Sequence, residues 1–214
     1  MAIQDFTTWT EVDVESAITV TSSSVSWVNL DRDDDSYVYR DFGAGAFRSN
    51  WTHYFDFVFS SADNLGATVH YSLSDTVNDY QGQALAGNLA IGFYTVLSAG
   101  VRYYQISEIT GPSAETLDFW SGGAFGTRYY AKSVYDSFVG ANGTLYLYIY
   151  SNPDFTGLLD TLVITMSRKP NYRFAFACNT FNNATTARHT GDTRNLDLGT
   201  IGRGRRLFLF NADL

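Results

Sequence analysis

Carboxylates at alternate positions are the first residues in this chain whose spacing suits chemistry. In Glu11-Val-Asp-Val-Glu15, a two-residue period sets Glu11, Asp13 and Glu15 on one face of an extended strand. A retaining glycosidase needs a nucleophile and an acid/base about 5 Å apart, with a third carboxylate able to tune them. On that reading Glu11 and Glu15 are the catalytic pair of a glycoside hydrolase. The plainer reading, preferred here, is a solvated strand face, because alternating acids are common in an acidic β-rich chain. A second cluster, Asp31-Arg-Asp-Asp-Asp35, offers Asp31, Asp33 and Asp35 as oxygen ligands for calcium, a hard cation. It lacks the glycine and the terminal glutamate of an EF-hand loop, and a turn whose aspartates bind neighbouring amides accounts for it as well. A third set is aromatic. Tyr146, Tyr148 and Tyr150 share one face of a strand, and with Trp120 they offer rings on which a sugar could stack. The preferred alternative is that loops cover these tyrosines and leave their hydroxyls wet. His53, His70 and His189 are scattered without metal-ligand spacing, and no Gly-x-Ser-x-Gly elbow occurs.

The elements that would position these residues are short and extended. Val25 to Leu30 and Tyr37 to Phe42 flank the acidic turn. Trp51 to Ser60 alternates Tyr54, Asp56 and Val58 with Phe55, Phe57 and Phe59. Leu145, Leu147 and Ile149 oppose the three tyrosines after an Asn142-Gly143 turn signal. Phe6 to Glu15 reads as an opening strand. Ser74 to Gly87 reads as irregular with room for one helical turn, and Asn179 to Gly191 as a polar loop. Some twelve or more strands without crossover helices predict an all-β antiparallel jelly-roll sandwich over 1–214 as a single domain.

Composition narrows the partners. The 22 acidic residues outnumber 14 basic ones, and the net charge of −8 argues against nucleic acid. No apolar run reaches the length of a membrane span. The lone Cys178 sits in an apolar run and reads as a buried thiol. Met1-Ala-Ile-Gln-Asp carries no leader signal, so assembly in a cytoplasm is expected. The basic run Arg203-Gly-Arg-Arg206 suits pairing with acids on a neighbouring surface or subunit.

Glu11-Val-Asp-Val-Glu15 is similar to the Glu-x-Asp-x-Glu signature of jelly-roll laminarinases and β-glucanases, although there the motif lies mid-chain. A wider resemblance covers most of the chain. Phe6-Thr-Thr-Trp-Thr-Glu-Val-Asp13, Ile18-Thr-Val-Thr21, Val25-Ser-Trp27, Leu30-Asp-Arg-Asp-Asp-Asp35 and Tyr37-Val-Tyr-Arg-Asp-Phe-Gly43 resemble the opening of concanavalin-A-like (laminin-G-like) jelly-roll domains of phage and environmental viral proteins. Tyr172 to Asp197 resembles the way those domains finish. The resemblance implies a non-catalytic surface module with a glycan-binding or adhesion role. It implies a place on a virion as decoration, spike or fibre, with other virion proteins or a second copy as partners. A soluble lectin or carbohydrate-binding module is the alternative it leaves.

Overall fold

The computed structural model describes residues 3–87, 89–111 and 114–199. The basic run at 203–206 and the apolar run at 207–210 lie outside them. Fourteen strands form two seven-stranded sheets. Sheet I runs, edge to edge, through β12 (Leu158–Thr165), β11 (Thr144–Tyr150), β10 (Arg128–Asp136), β5 (Trp51–Ala62), β14 (Arg188–Asp197), β3 (Ser24–Asp31) and β2 (Ile18–Val20). Sheet II runs through β1 (Thr10–Val12), β4 (Tyr37–Asp41), β13 (Phe174–Asn179), β6 (Ala67–Ser74), β7 (Ala90–Ser98), β8 (Val101–Gly111) and β9 (Ala114–Trp120). Every pairing is antiparallel. This is the concanavalin-A-like jelly roll that the sequence predicts.

Alternation decides which side chains lie between the sheets. Phe55, Phe57 and Phe59 are buried. Phe55 stacks on Tyr71 at 5.1 Å, and Phe57 meets Phe93 edge-on at 4.7 Å. Such ring pairs add about 0.5–1.5 kcal/mol each beyond the area they bury. Tyr129, Ala131, Ser133 and Tyr135 of β10 and Leu145, Leu147 and Ile149 of β11 complete this side of the core. Cys178 is free, buried and inert as expected, since burial, then the charges of Asp13 and Glu11, push its thiol pKa up.

The two outer faces differ. A short helix, α1 (Tyr80–Leu85), lies on sheet II, capped by Asp79, whose carboxylate accepts from the Gly82 amide at 2.6 Å. Tyr80, Ala84 and Phe181 pack there on Ala67, Val69, Ala90, Tyr94 and Ile109. Gly92 makes room for the Tyr80 ring, because a Cβ at 92 would lie 2.5 Å from the tyrosine oxygen. No helix of the described residues covers sheet I.

Two expectations about elements need correction. The opening strand is only three residues long. A 3-10 turn, Phe6–Thr8, precedes it, and the chain bends after Val12 because Asp13 accepts from the amides of Ala17 and Ile18 at 3.0 and 2.9 Å. The polar loop ends earlier than predicted, since β14 begins at Arg188 and is a central strand. The acidic turn joins two strands as expected, β3 of sheet I and β4 of sheet II, and so carries the chain between layers.

Candidate glycan-facing surface

The outer face of sheet I is a ladder of aromatic and charged side chains built by strand register. Along β11, Tyr146, Tyr148 and Tyr150 are half-buried while their neighbours point into the core. On β10, Tyr130 lies opposite Tyr150, Lys132 opposite Tyr148, and Val134 opposite Tyr146. On the other side of β10, Asp56, Tyr54 and Thr52 of β5 lie opposite the same three residues in turn. Five tyrosines and a lysine therefore stand side by side over three strands, at the roughly 4.8 Å strand spacing of a sheet. The rings of Tyr146 and Tyr148 are nearly parallel, 16° apart with centroids at 6.2 Å.

A loop closes one end of the ladder. Asn152 accepts from the amides of Thr156 and Gly157 at 3.0 and 3.3 Å, and this holds the 151–157 turn. Phe155, at φ +58, turns its ring against Tyr54, Tyr150 and Tyr130 at 5.1, 5.3 and 6.5 Å. Covering by a loop is thus right for Tyr150, while Tyr146 and Tyr148 lie beyond Phe155. Burial, then the neighbouring Tyr148 and Tyr54, push the Tyr150 phenol pKa up. Next to the Val134 end lies a cleft of about 370 Å³ lined by Asn50, Trp51, Thr52, Val134, Tyr135 and Asp136 among others.

The floor beside the rings is a fixed charge network. Arg128 pairs with Asp56 and, at 2.9 Å, with Asp192. Arg194 reaches Asp192 at 3.0 Å, and Asn195 donates to Asp56 at 2.6 Å. All of these come from β5, β10 and β14, so the polar strand missed in the sequence supplies three of the network's five residues. Its signal was present in Asp192-Thr-Arg194, whose alternate charges share a face, but no apolar alternation drew attention to it.

The other sequence-derived residues lie elsewhere. Trp120 does not join the tyrosines. It is on the edge strand of sheet II and turns inward, against Tyr104 at 5.2 Å and Tyr129 at 5.3 Å. Glu11 and Glu15 do not share a strand face, because β1 ends before Asp13. Glu15 is turned to Arg188, which holds both its oxygens at 3.0 Å, so the glycosidase pair is not formed. Burial, then the neighbouring Glu15 carboxylate, raises the Asp34 pKa to about 6.

Asp31, Asp33 and Asp35 do not converge as metal ligands either. Asp31 accepts from the Asp33 and Ala187 amides at 3.0 and 3.3 Å, Asp33 accepts from the Ala184 amide, and Asp35 is exposed. Among the described residues, no group of three or more His, Cys, Asp or Glu could hold a metal ion. The aspartates brace the turn against the 183–188 segment, which is the backbone-bonding alternative. The three histidines are buried and apart from the ladder.

No protein-family model and no curated protein matches the chain. Solved structures do, at the level of fold. Alginate lyase Aly36B matches at TM-score 0.54 and 14% identity over 90% of this chain and 86% of that one. A functionally unknown protein from Saccharomyces cerevisiae matches at 0.53 and 11%, over 94% and 100%. The exoplasmic/lumenal domain of VIP36, in its Ca2+/Man2-bound form, matches at 0.52 and 14%, over 92% and 83%. The fold class these likenesses define is the concanavalin-A-like jelly roll.

Proposed function

We propose that the chain is a non-catalytic glycan-binding module whose receptor surface is the outer face of sheet I. The observation that carries this is the ladder of Tyr54, Tyr130, Tyr146, Tyr148 and Tyr150, which lies beside a pre-formed charge network on a sheet that no helix of the described residues covers. A tyrosine offers a sugar both an apolar face and a hydroxyl, and a ladder held on strands loses little entropy when the ligand binds. That an alginate lyase and the Ca2+/Man2-bound VIP36 domain share the fold supports a sugar ligand by analogy of fold alone. The non-catalytic part rests on Glu15, which is committed to Arg188, and on Glu11, which is left alone on a three-residue edge strand. The test is a titration against a glycan panel with the wild type and a Tyr146→Ala/Tyr148→Ala variant, alongside a search for released products. Binding that the variant weakens at least tenfold supports the proposal, and turnover would remove its non-catalytic part.

The finer reading places this face on the outside of a phage-like particle, where it would serve adhesion. It is supported by the resemblance of the opening 38 residues from Phe6 to Gly43. Co-sedimentation of the purified protein with particles checks it, and a protein that stays in the supernatant at every ratio would count against it.

A further inference from the structure

We infer that Lys132 is the recognition point for the anionic group of an acidic sugar, so the ligand is a polysaccharide that carries carboxylates or sulfate esters. This rests on the glycan-binding reading and goes one step further, to the class of sugar. Lys132 lies at the centre of the ladder, with Tyr148 opposite it on β11 and Tyr54 on β5. Tyr130 and Val134 flank it on its own face of β10. Its ammonium sits 5.5 Å above the Tyr148 ring, a cation–π contact that satisfies one side of a group with three donors.

The other cations on this face are already committed. Arg128 is held by Asp56 and Asp192, and Arg194 by Asp192. Asp136, further along β10, accepts from the Phe138 amide at 2.9 Å. Among the described residues, Lys132 is in no ion pair, although the chain carries 22 acidic residues against 14 basic ones. The lysine is half-buried with its ammonium over a ring, and an incoming anion would add a charge-assisted hydrogen bond there. A sugar ring seated on Tyr146 and Tyr148 would bring an exocyclic carboxylate or sulfate within reach of that ammonium. A neutral sugar would leave it unpaired.

The experiment compares polygalacturonate, its fully methyl-esterified form and a sulfated galactan as ligands for the intact protein. The proteins are the wild type, Lys132→Gln and Lys132→Arg. The expected result is a preference of about tenfold or more for an anionic polymer over the neutral ester, the scale of one charge-assisted contact. That preference should weaken with added salt, collapse toward one in Lys132→Gln and return in Lys132→Arg. Binding of the carboxylate polymer or the sulfated polymer alone identifies which anion is read. Equal affinity for polygalacturonate, its ester and the galactan, unchanged in Lys132→Gln, overturns the inference and leaves the glycan-binding reading standing. No binding of any polymer overturns both. Melting curves of the two variants that match the wild type establish that the changes act at the surface.

Discussion

Buried histidines show how single residues of this core are tuned. His70 lies wholly between the sheets, with Nε2 at 3.0 Å from the Thr95 hydroxyl and Nδ1 at 3.2 Å from that of Thr193. Burial, opposed by the charge and carbonyl of Asp192, lowers its pKa from 6.5 to about 4. As pH falls through that window the unfolded chain takes up a proton that the fold refuses. The histidine's contribution is therefore present above pH 6.5 and lost toward pH 4. Asp79 works the other way: burial, partly offset by the Gly82 amide, raises its pKa from 3.8 to about 6, so its contribution is lost as pH rises through that window. Replacing His70 with Gln should lessen the dependence of unfolding free energy on pH between those two values, by up to about 1.4 kcal/mol per pH unit. Denaturant titrations at several pH values measure it, and parallel curves for variant and wild type would contradict the assignment. The aspartates of the 31–35 turn show the same economy, since two of them hold backbone amides of the 183–188 segment.

Among the elements, β14 best shows what a polar sequence can hide. Its ten residues, Arg188-His-Thr-Gly-Asp-Thr-Arg-Asn-Leu-Asp197, contain one aliphatic side chain, yet the strand lies between β5 and β3. Hydrophobic period gives no sign of it. Its outward face carries ion pairs, and on its inward face the Thr193 hydroxyl donates to the His70 carbonyl of β6 at 3.0 Å. Gly191 lets the backbones close, since a Cβ there would meet the Val58 carbonyl at 2.5 Å. Register shifts beside Gly191 and after Arg194 further blur the period. Arg128 is the cross-strand partner that makes this polar face tolerable. Arg128→Ala should leave Asp56 and Asp192 nearly buried without their shared cation and cost about 2 kcal/mol or more. Urea unfolding reads the loss, and an unchanged midpoint would show that Arg194 and Asn195 suffice alone.

By contrast, β5 and β11 were legible from alternation, because their inner faces are apolar apart from His53. The tyrosine row was legible for the same reason. What alternation could not supply is its setting. Tyr54, Tyr130 and Lys132 join it only through strand order, and Trp120 and Glu15 leave their expected places because of sheet assignment and a bend at Asp13. Spacing along one strand predicts who shares a face, but long-range pairing decides whose face it is.

At the scale of the molecule, the two sheets divide their work. Sheet II carries α1 and Phe181 on its outside and is a packed layer on both faces. Among the described residues, only the Phe155 loop packs on the outer side of sheet I, and the rest of that side gathers tyrosines, Lys132 and the Arg128 network. A jelly roll with one capped and one open sheet is suited to present a single face to a long, flat ligand. The direct test of that division is the titration of the intact chain with a glycan panel, followed by side-chain NMR and repeated with Tyr146→Ala/Tyr148→Ala. We expect shifts confined to Tyr54, Tyr130, Lys132, Tyr146, Tyr148 and Tyr150, with binding weakened at least tenfold in the variant. Shifts that map to the helix-covered side of sheet II, or binding untouched by the double substitution, would contradict the account.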